Sequence, residues 1–342
     1  MLAPLIRAYE RWHAGRDASR RAHPFAWGLE YLDMESRKER PLPRMVEHAR
    51  RVMEDPERFY PDPGSPPVVS VSRDRDPDGA LRVAFPSAVR APESVTNRAS
   101  LRLFEPESPG RRAMVVLPQW NAEPASHVTL CRGLAGRGVA AARLTLPYHD
   151  ERAPAAEPRG DLAVSANLGR TLLSVRQAVS DVRRVRAWLE RRGYDRVGVL
   201  GTSLGSCIAF LSLANDARFR VAVLHHVSSH FGDAVWRGVS TRHVRAELER
   251  GVSRAALRRA WAPISPIHFV HRIPPRSRSL LLIGRHDLTF PLDLSLLLRR
   301  AYRQHAVPHD AILMPWGHYT SGIFPLAAVL MVRVWRWLDG RL

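Results

Sequence analysis

The most constraining feature of the 342-residue chain is a five-residue run, Gly201-Thr202-Ser203-Leu204-Gly205. An apolar β-branched stretch, Val197 to Leu200, precedes it, and Ile208, Ala209, Phe210, Leu211 and Leu213 follow. The short apolar run suits a buried parallel strand, and the residues beyond continue as an apolar helix. A strand that turns straight into a helix forces the corner residue into a strained backbone conformation. Glycines two positions either side remove the Cβ atoms that would collide there. Ser203 is thereby lifted out of the sheet, its Oγ at a helix N-terminus where free N–H groups and the helix dipole stabilise negative charge. A solvated serine in a glycine-rich turn would look the same over five residues, so the decision falls to the rest of the chain.

A serine hydroxyl is a weak nucleophile at neutral pH. It needs an imidazole to take its proton and a carboxylate to fix that imidazole's tautomer. The run Ser279-Leu-Leu-Leu-Ile-Gly-Arg-His-Asp287 is a strand and glycine turn that puts Asp287 at the strand's carboxyl end, and Met314-Pro-Trp-Gly-His318 does the same for His318 one strand later. Each of the three residues thus lies just past a different strand on one rim, in the order serine, aspartate, histidine. The bland alternatives are an aspartate capping the turn before Leu288 and a histidine bonded within a loop. Among competing acids, Asp293 reads as a helix cap before Leu294, and Asp233 follows the preceding strand. His225, His226 and His230 cluster in sequence, but no cysteines or carboxylates accompany them at ligand spacing, so neither a metal nor another cofactor is expected.

With these motifs in this order, residues 99 to 342 resemble the α/β-hydrolase superfamily. The resemblance implies an α/β fold with a mostly parallel central sheet and helices on both faces. It also implies an oxyanion hole built from the backbone N–H of Leu204 and one from the loop after the third strand. That loop reads Pro118-Gln119-Trp120-Asn121 where the family commonly has His-Gly; Pro118 has no N–H, so Trp120 is the first choice and Gln119 the second. Leu146-Pro-Tyr-His, Leu189-Glu-Arg-Arg-Gly-Tyr through the Ser203 turn, and Gly317-His318 are similar to the group around alpha/beta hydrolase domain-containing protein 18. Ser206 stands where that group commonly has glycine.

Around this centre, residues 1–65 read as an amphipathic helical extension with no chemistry of its own, and residues 66–342 as the hydrolase domain. Short alternating segments from Val68 to Val89 and from Ser100 to Phe104, divided by Asp-Pro-Asp-Gly, predict an antiparallel sheet edge. Beyond them strands alternate with helices, the pattern of a doubly covered parallel sheet whose ligands sit at the strands' carboxyl ends. A long helix to Arg192 carries Leu172, Val175, Val179, Val182, Val185 and Leu189 on one stripe, with arginines elsewhere. Residues 232–272 predict a small helical lid whose apolar face, Trp236 included, lines an acyl pocket. Gln119, Tyr148 and His149 stand on the opposite wall, and packing of the lid helices on the sheet is the competing account.

The net charge of +19 would ordinarily suggest nucleic acid. Lys38 is the only lysine, however, so all but one of the 52 basic residues are arginine, spread along the chain without a recognition module. Nucleic acid is therefore not an expected partner. The N-terminus has early charges and no apolar run of signal type, no internal run reaches membrane-spanning length, and two cysteines are too few for a disulfide framework. A cytoplasmic location is expected, with peripheral membrane contact through the arginine-rich first helix left open. The function expected is a serine hydrolase acting on a small-molecule carboxylic ester or thioester. Acyl transfer or peptide cleavage by the same triad, and a non-catalytic binding protein that keeps the fold, are the alternatives.

Overall fold

A computed structural model describes residues 2–16, 20–32, 40–62, 64, 67–108 and 110–342. Nine strands among them form one sheet: β1 (Ser70–Arg75), β2 (Leu81–Pro86), β3 (Arg98–Phe104), β4 (Arg112–Leu117), β5 (Val139–Leu144), β6 (Arg196–Thr202), β7 (Val221–His225), β8 (Arg278–Gly284) and β9 (His309–Met314). Their order is β1-β2-β3-β5-β4-β6-β7-β8-β9. The first three run antiparallel to their neighbours, as the short alternating segments predict, and the Asp76–Gly79 turn closes with the Gly79 N–H on the Asp76 carbonyl at 2.8 Å. From β5 to β9 every pairing is parallel. Thr202 pairs with His225, and Gly284 with Met314, so the ends of β6 to β9 share one rim.

The two faces of the sheet bury alternate residues of the same strands. Ala113, Val115 and Leu117 of β4 pack against the helices Leu168–Arg191, Leu204–Ala214 and Leu292–Gln304. Met114 and Val116 face the helices Val128–Ala135 and Leu326–Leu338. This is the mostly parallel, doubly covered sheet expected of the sequence.

The long helix departs from expectation in one respect. Its apolar stripe is buried, but so are Arg183 and Arg186, which sequence patterning puts in solvent. Arg186 Nε lies 2.7 Å from Asp216, and Arg183 Nη1 donates to the Tyr60 carbonyl at 2.6 Å. For Arg183 the cause is the N-terminal region, since the Tyr60 and Pro61 carbonyls both accept from its guanidinium, while Arg186 is held by Asp216. The expected boundary at 65/66 falls on residues outside those described. Within 232–272 the chain forms three short helices, Phe231–Arg237, Arg242–Leu248 and Arg254–Ala260.

Candidate active site

Ser203 sits between β6 and the helix Leu204–Ala214 with φ 56° and ψ −117°, a conformation L-residues rarely adopt. The flanking glycines are needed for space: a Cβ on Gly201 would lie 2.0 Å from the Gly205 carbonyl oxygen, and one on Gly205 2.3 Å from that of Leu117. The Ser203 N–H donates to the His225 carbonyl at 2.9 Å, which ties the corner to β7. Ser206, in the helix's first turn, holds its Oγ 2.7 Å from the carbonyl oxygens of both Ser203 and His226. Leu204 is the first residue of the helix, so its N–H has no carbonyl a turn earlier to bond.

The turns after β8 and β9 bring Asp287 and His318 to this corner. His318 Nε2 lies 3.0 Å from Ser203 Oγ, and its Nδ1 lies 2.9 Å from Asp287 Oδ2. Asp287 Oδ1 accepts the N–H groups of Thr289 and Phe290 at 2.8 and 2.7 Å, which fixes the carboxylate's rotation. Burial pushes the Asp287 carboxyl upward, but His318 and His226 more than offset this and hold it well below the usual carboxylate range. With Oδ2 an ionised acceptor, His318 carries its proton on Nδ1 and presents a bare Nε2 to the serine.

His226, which sequence reading passed over as one of several neighbouring histidines, belongs to this cluster. It follows β7 with φ 56°, its Nδ1 is 2.8 Å from Asp287 Oδ2, and its Nε2 is 2.9 Å from Ser321 Oγ. The ligand atoms of His226, Asp287 and His318 lie within 4.8 Å of one another, close enough to hold a metal ion. Their mutual contacts and the Ser203 bond account for the clustering as it stands. Of the competing acids, Asp233 pairs with Arg254 and Arg258 and ties the helices Phe231–Arg237 and Arg254–Ala260 together, while Asp293 pairs with Arg237 at the surface.

The Pro118 to Asn121 loop faces the same corner. The Trp120 ring donates from Nε1 to the Gly160 carbonyl at 2.6 Å. Asn121, at φ 56°, donates its N–H to His149 Nε2 at 3.0 Å, and His149 Nδ1 lies 2.9 Å from the Pro147 carbonyl. His149 is therefore neutral with its proton on Nδ1, and burial lowers its pKa to about 4. It braces the loop as well as lining the cleft. Gln119 and Trp120 also line the cleft, Gln119 Nε2 reaching Ser126 Oγ at 3.5 Å.

Two expected pocket residues are placed elsewhere. Tyr148 is fully buried, its hydroxyl 2.9 Å from Glu93 Oε2, and it lines neither cavity next to Ser203. Trp236 lines neither cavity next to Ser203 and packs under Arg245, whose guanidinium lies 5.8 Å from the ring centroid. The helix Phe231–Arg237 does reach the serine, through Phe231, Ala234 and Val235. With Leu204, Cys207 and Thr289 they enclose an apolar cavity of about 50 Å³. A wider cleft of about 930 Å³, lined by both polar and apolar side chains, also borders Ser203 and His318.

The N-terminal extension, expected to carry no chemistry, also contributes to the site. His13 and Arg20 line the cleft, and Glu10 of the helix Leu2–Arg16 is buried against the loop bearing His318. No motif marks Glu10, because an isolated glutamate in an arginine-rich helix reads as a surface charge.

No family model and no curated protein sequence matches the chain. Its fold is similar to solved structures over most of its length. Acetyl xylan esterase 1 from Thermoanaerobacterium sp. JW/SL YS485 aligns with a TM-score of 0.61 at 15% identity, over 86% of this chain and 98% of that one. The acetyl xylan esterase of Paenibacillus sp. R4 gives 0.61 at 16% over 92% and 99%, and a carboxyl esterase of Bacillus coagulans gives 0.57 at 11% over 76% and 98%. The chain thus has the α/β-hydrolase fold, and among the described residues no helix is long and apolar enough to cross a membrane.

Proposed function

We propose that the protein is a serine hydrolase that cleaves small-molecule carboxylic esters or thioesters through an acyl-enzyme on Ser203. The observation that carries this reading is the unbroken line from Ser203 Oγ to His318 Nε2 at 3.0 Å and from His318 Nδ1 to Asp287 Oδ2 at 2.9 Å, at the start of a helix. The esterase activities named for its structural neighbours fit the same chemistry.

In this mechanism Ser203 Oγ attacks the acyl carbon while His318 Nε2 takes its proton. The developing oxyanion is met by the N–H groups of Leu204 and Trp120. Collapse breaks the bond to the alkoxide or thiolate, which leaves with the proton from His318. A water then gives a proton to His318 as it attacks the acyl carbon, and the carboxylic acid departs as Ser203 regains its proton. Asp287 holds the Nδ1 proton and offsets the imidazolium charge throughout.

The acyl group is assigned to the 50 Å³ cavity for its apolar lining and the alcohol to the wider cleft, which has more room and more polar side chains. Residues 232–272 act as the lid and 1–65 as an extension of the hydrolase domain. The free, buried cysteines Cys131 and Cys207 support a cytoplasmic location, and the likeness to the alpha/beta hydrolase domain-containing protein 18 group is retained on its motifs. Labelling with a fluorophosphonate probe tests the reading. Wild-type protein should label, and Ser203→Ala should not, with kcat down on the order of 10³ to 10⁶. An unlabelled wild type, or a labelled alanine variant, would sink it.

A further inference from the structure

We propose that Glu10 is a positioning residue of the active site, a carboxylate delivered by the N-terminal helix to hold the backbone that carries His318. The inference rests on the serine-hydrolase reading and adds to it a part of the chain outside the hydrolase core.

The Glu10 side chain is fully buried, and among the described residues its partners are all neutral donors of one loop. Oε2 accepts the His318 N–H at 3.0 Å, Oε1 accepts the Thr320 N–H at 3.0 Å and the Thr320 hydroxyl at 3.1 Å, and the Tyr319 N–H lies 3.0 and 3.1 Å from the two oxygens. Burying a carboxylate is costly unless hydrogen bonds replace its water, and bonds to an ionised acceptor are the strong kind. Three consecutive amides provide that replacement here. They lie at and just before the start of the short 3₁₀ helix Thr320–Gly322, whose N-cap residue Tyr319 provides no side-chain cap. The loop is wrapped closely round the carboxylate: a Cβ on Gly317 would stand 2.5 Å from Glu10 Cδ. One turn along the helix, His13 stacks on Tyr319 with ring centroids 4.2 Å apart.

Packing alone does not explain the docking of this helix. A helix bound for its hydrophobic surface turns its apolar stripe inward. This one leaves Leu2, Leu5 and Trp12 more than half exposed and buries Glu10 and Ala14 instead. The polar anchor, and not apolar burial, sets its position. What the anchor fixes is the N–H of the residue whose imidazole must stay within 3.0 Å of Ser203 Oγ, where a displacement of about 1 Å is worth on the order of 10² in rate.

The test uses full-length Glu10→Gln, Glu10→Ala and Gly317→Ala, with Leu5→Ala as a packing control on the same helix. For each, kcat and KM on p-nitrophenyl acetate are measured per active site counted by fluorophosphonate titration, together with the labelling rate. Glu10→Gln and Gly317→Ala should lower kcat and the labelling rate by about 30- to 100-fold with KM within about threefold. Leu5→Ala should match wild type, and formate should restore part of the kcat of Glu10→Ala without altering its KM. Counting active sites separates loss of folded protein from loss of alignment. If Glu10→Gln and Gly317→Ala turn over within threefold of wild type per labelled site, Glu10 only anchors the helix and the inference falls. A wild type that neither labels nor hydrolyses esters overturns the hydrolase reading and this inference with it.

Discussion

His226 Nδ1 lies 2.8 Å from Asp287 Oδ2, the same oxygen that His318 Nδ1 meets at 2.9 Å, and the two imidazole centroids are 4.4 Å apart. One carboxylate oxygen therefore stands between two rings. Burial, and then the neighbouring His318, push the His226 pKa below its ordinary value, while Asp287 acts in the opposite direction. The far nitrogen of His226 reaches Ser321 Oγ, which in turn donates to the His318 carbonyl at 2.8 Å. Replacing His226 by alanine removes a wall from Asp287 and a tie from the His318 loop together, and kcat should fall by roughly tenfold or more. A folded His226→Ala protein with unchanged kcat would show that Asp287 and the loop hold themselves.

Asp287→Asn should leave the fold intact and lower kcat by up to about 10⁴, because an amide no longer dictates which imidazole nitrogen carries the proton. Asp293→Asn removes only a surface pair with Arg237, worth about 0 to 1 kcal/mol, and should leave turnover unchanged. The reverse pattern would transfer the carboxylate role away from Asp287.

The cavity beside Ser203, about 50 Å³ and walled by Phe231, Ala234 and Val235, has room for a short acyl group. Each methylene it buries is worth about 0.8 kcal/mol, close to fourfold in kcat/KM, so a p-nitrophenyl ester series should rise over the first few carbons and then fall. Val235→Ala should move the optimum to longer chains, whereas Trp236→Ala should not. A rise continuing to decanoate would place the acyl chain in the larger cleft.

Acidification should destabilise the protein between about pH 6.5 and 4. Burial lowers His149 to about 4, and burial with Arg143 nearby does the same to His127. Both are neutral in the folded chain while the unfolded chain binds their protons below its ordinary value of about 6.5. The unfolded state therefore holds more protons in that window, so stability is retained above it and falls as pH drops, by about 3 kcal/mol for each group. Thermal midpoints from pH 7 to 4 should decline, and His149→Gln should flatten the slope by roughly one proton. A midpoint unchanged across the window would contradict the neutral buried state.

Ser203, Asp287 and His318 are legible in the sequence because each lies within a few residues of a strand's end, and alternation of strands and helices puts all such strand ends on one rim. The strained corner is legible in part for a local reason, since Gly201 clears the Gly205 carbonyl four residues on, whereas Gly205 makes room for the Leu117 carbonyl of a neighbouring strand. Trp236 shows where this kind of reading stops. Helical period predicts an apolar face in the lid, but its phase, which puts Val235 and not Trp236 beside the serine, is set by how the helix docks. Tyr148 stands at the right strand end, yet a bond to Glu93 turns it into the core. Glu10 and His226 lie beyond sequence reading altogether: one meets its partners 308 residues away, and the other differs from His225 beside it only in the direction its backbone turns. Strand and helix periods and the order of motifs can be read from near neighbours, so the sequence by itself determined the sheet and the three residues on its rim. Which buried carboxylate or imidazole supports them was decided by the tertiary structure, because that choice depends on contacts summed over segments that only the completed fold brings together.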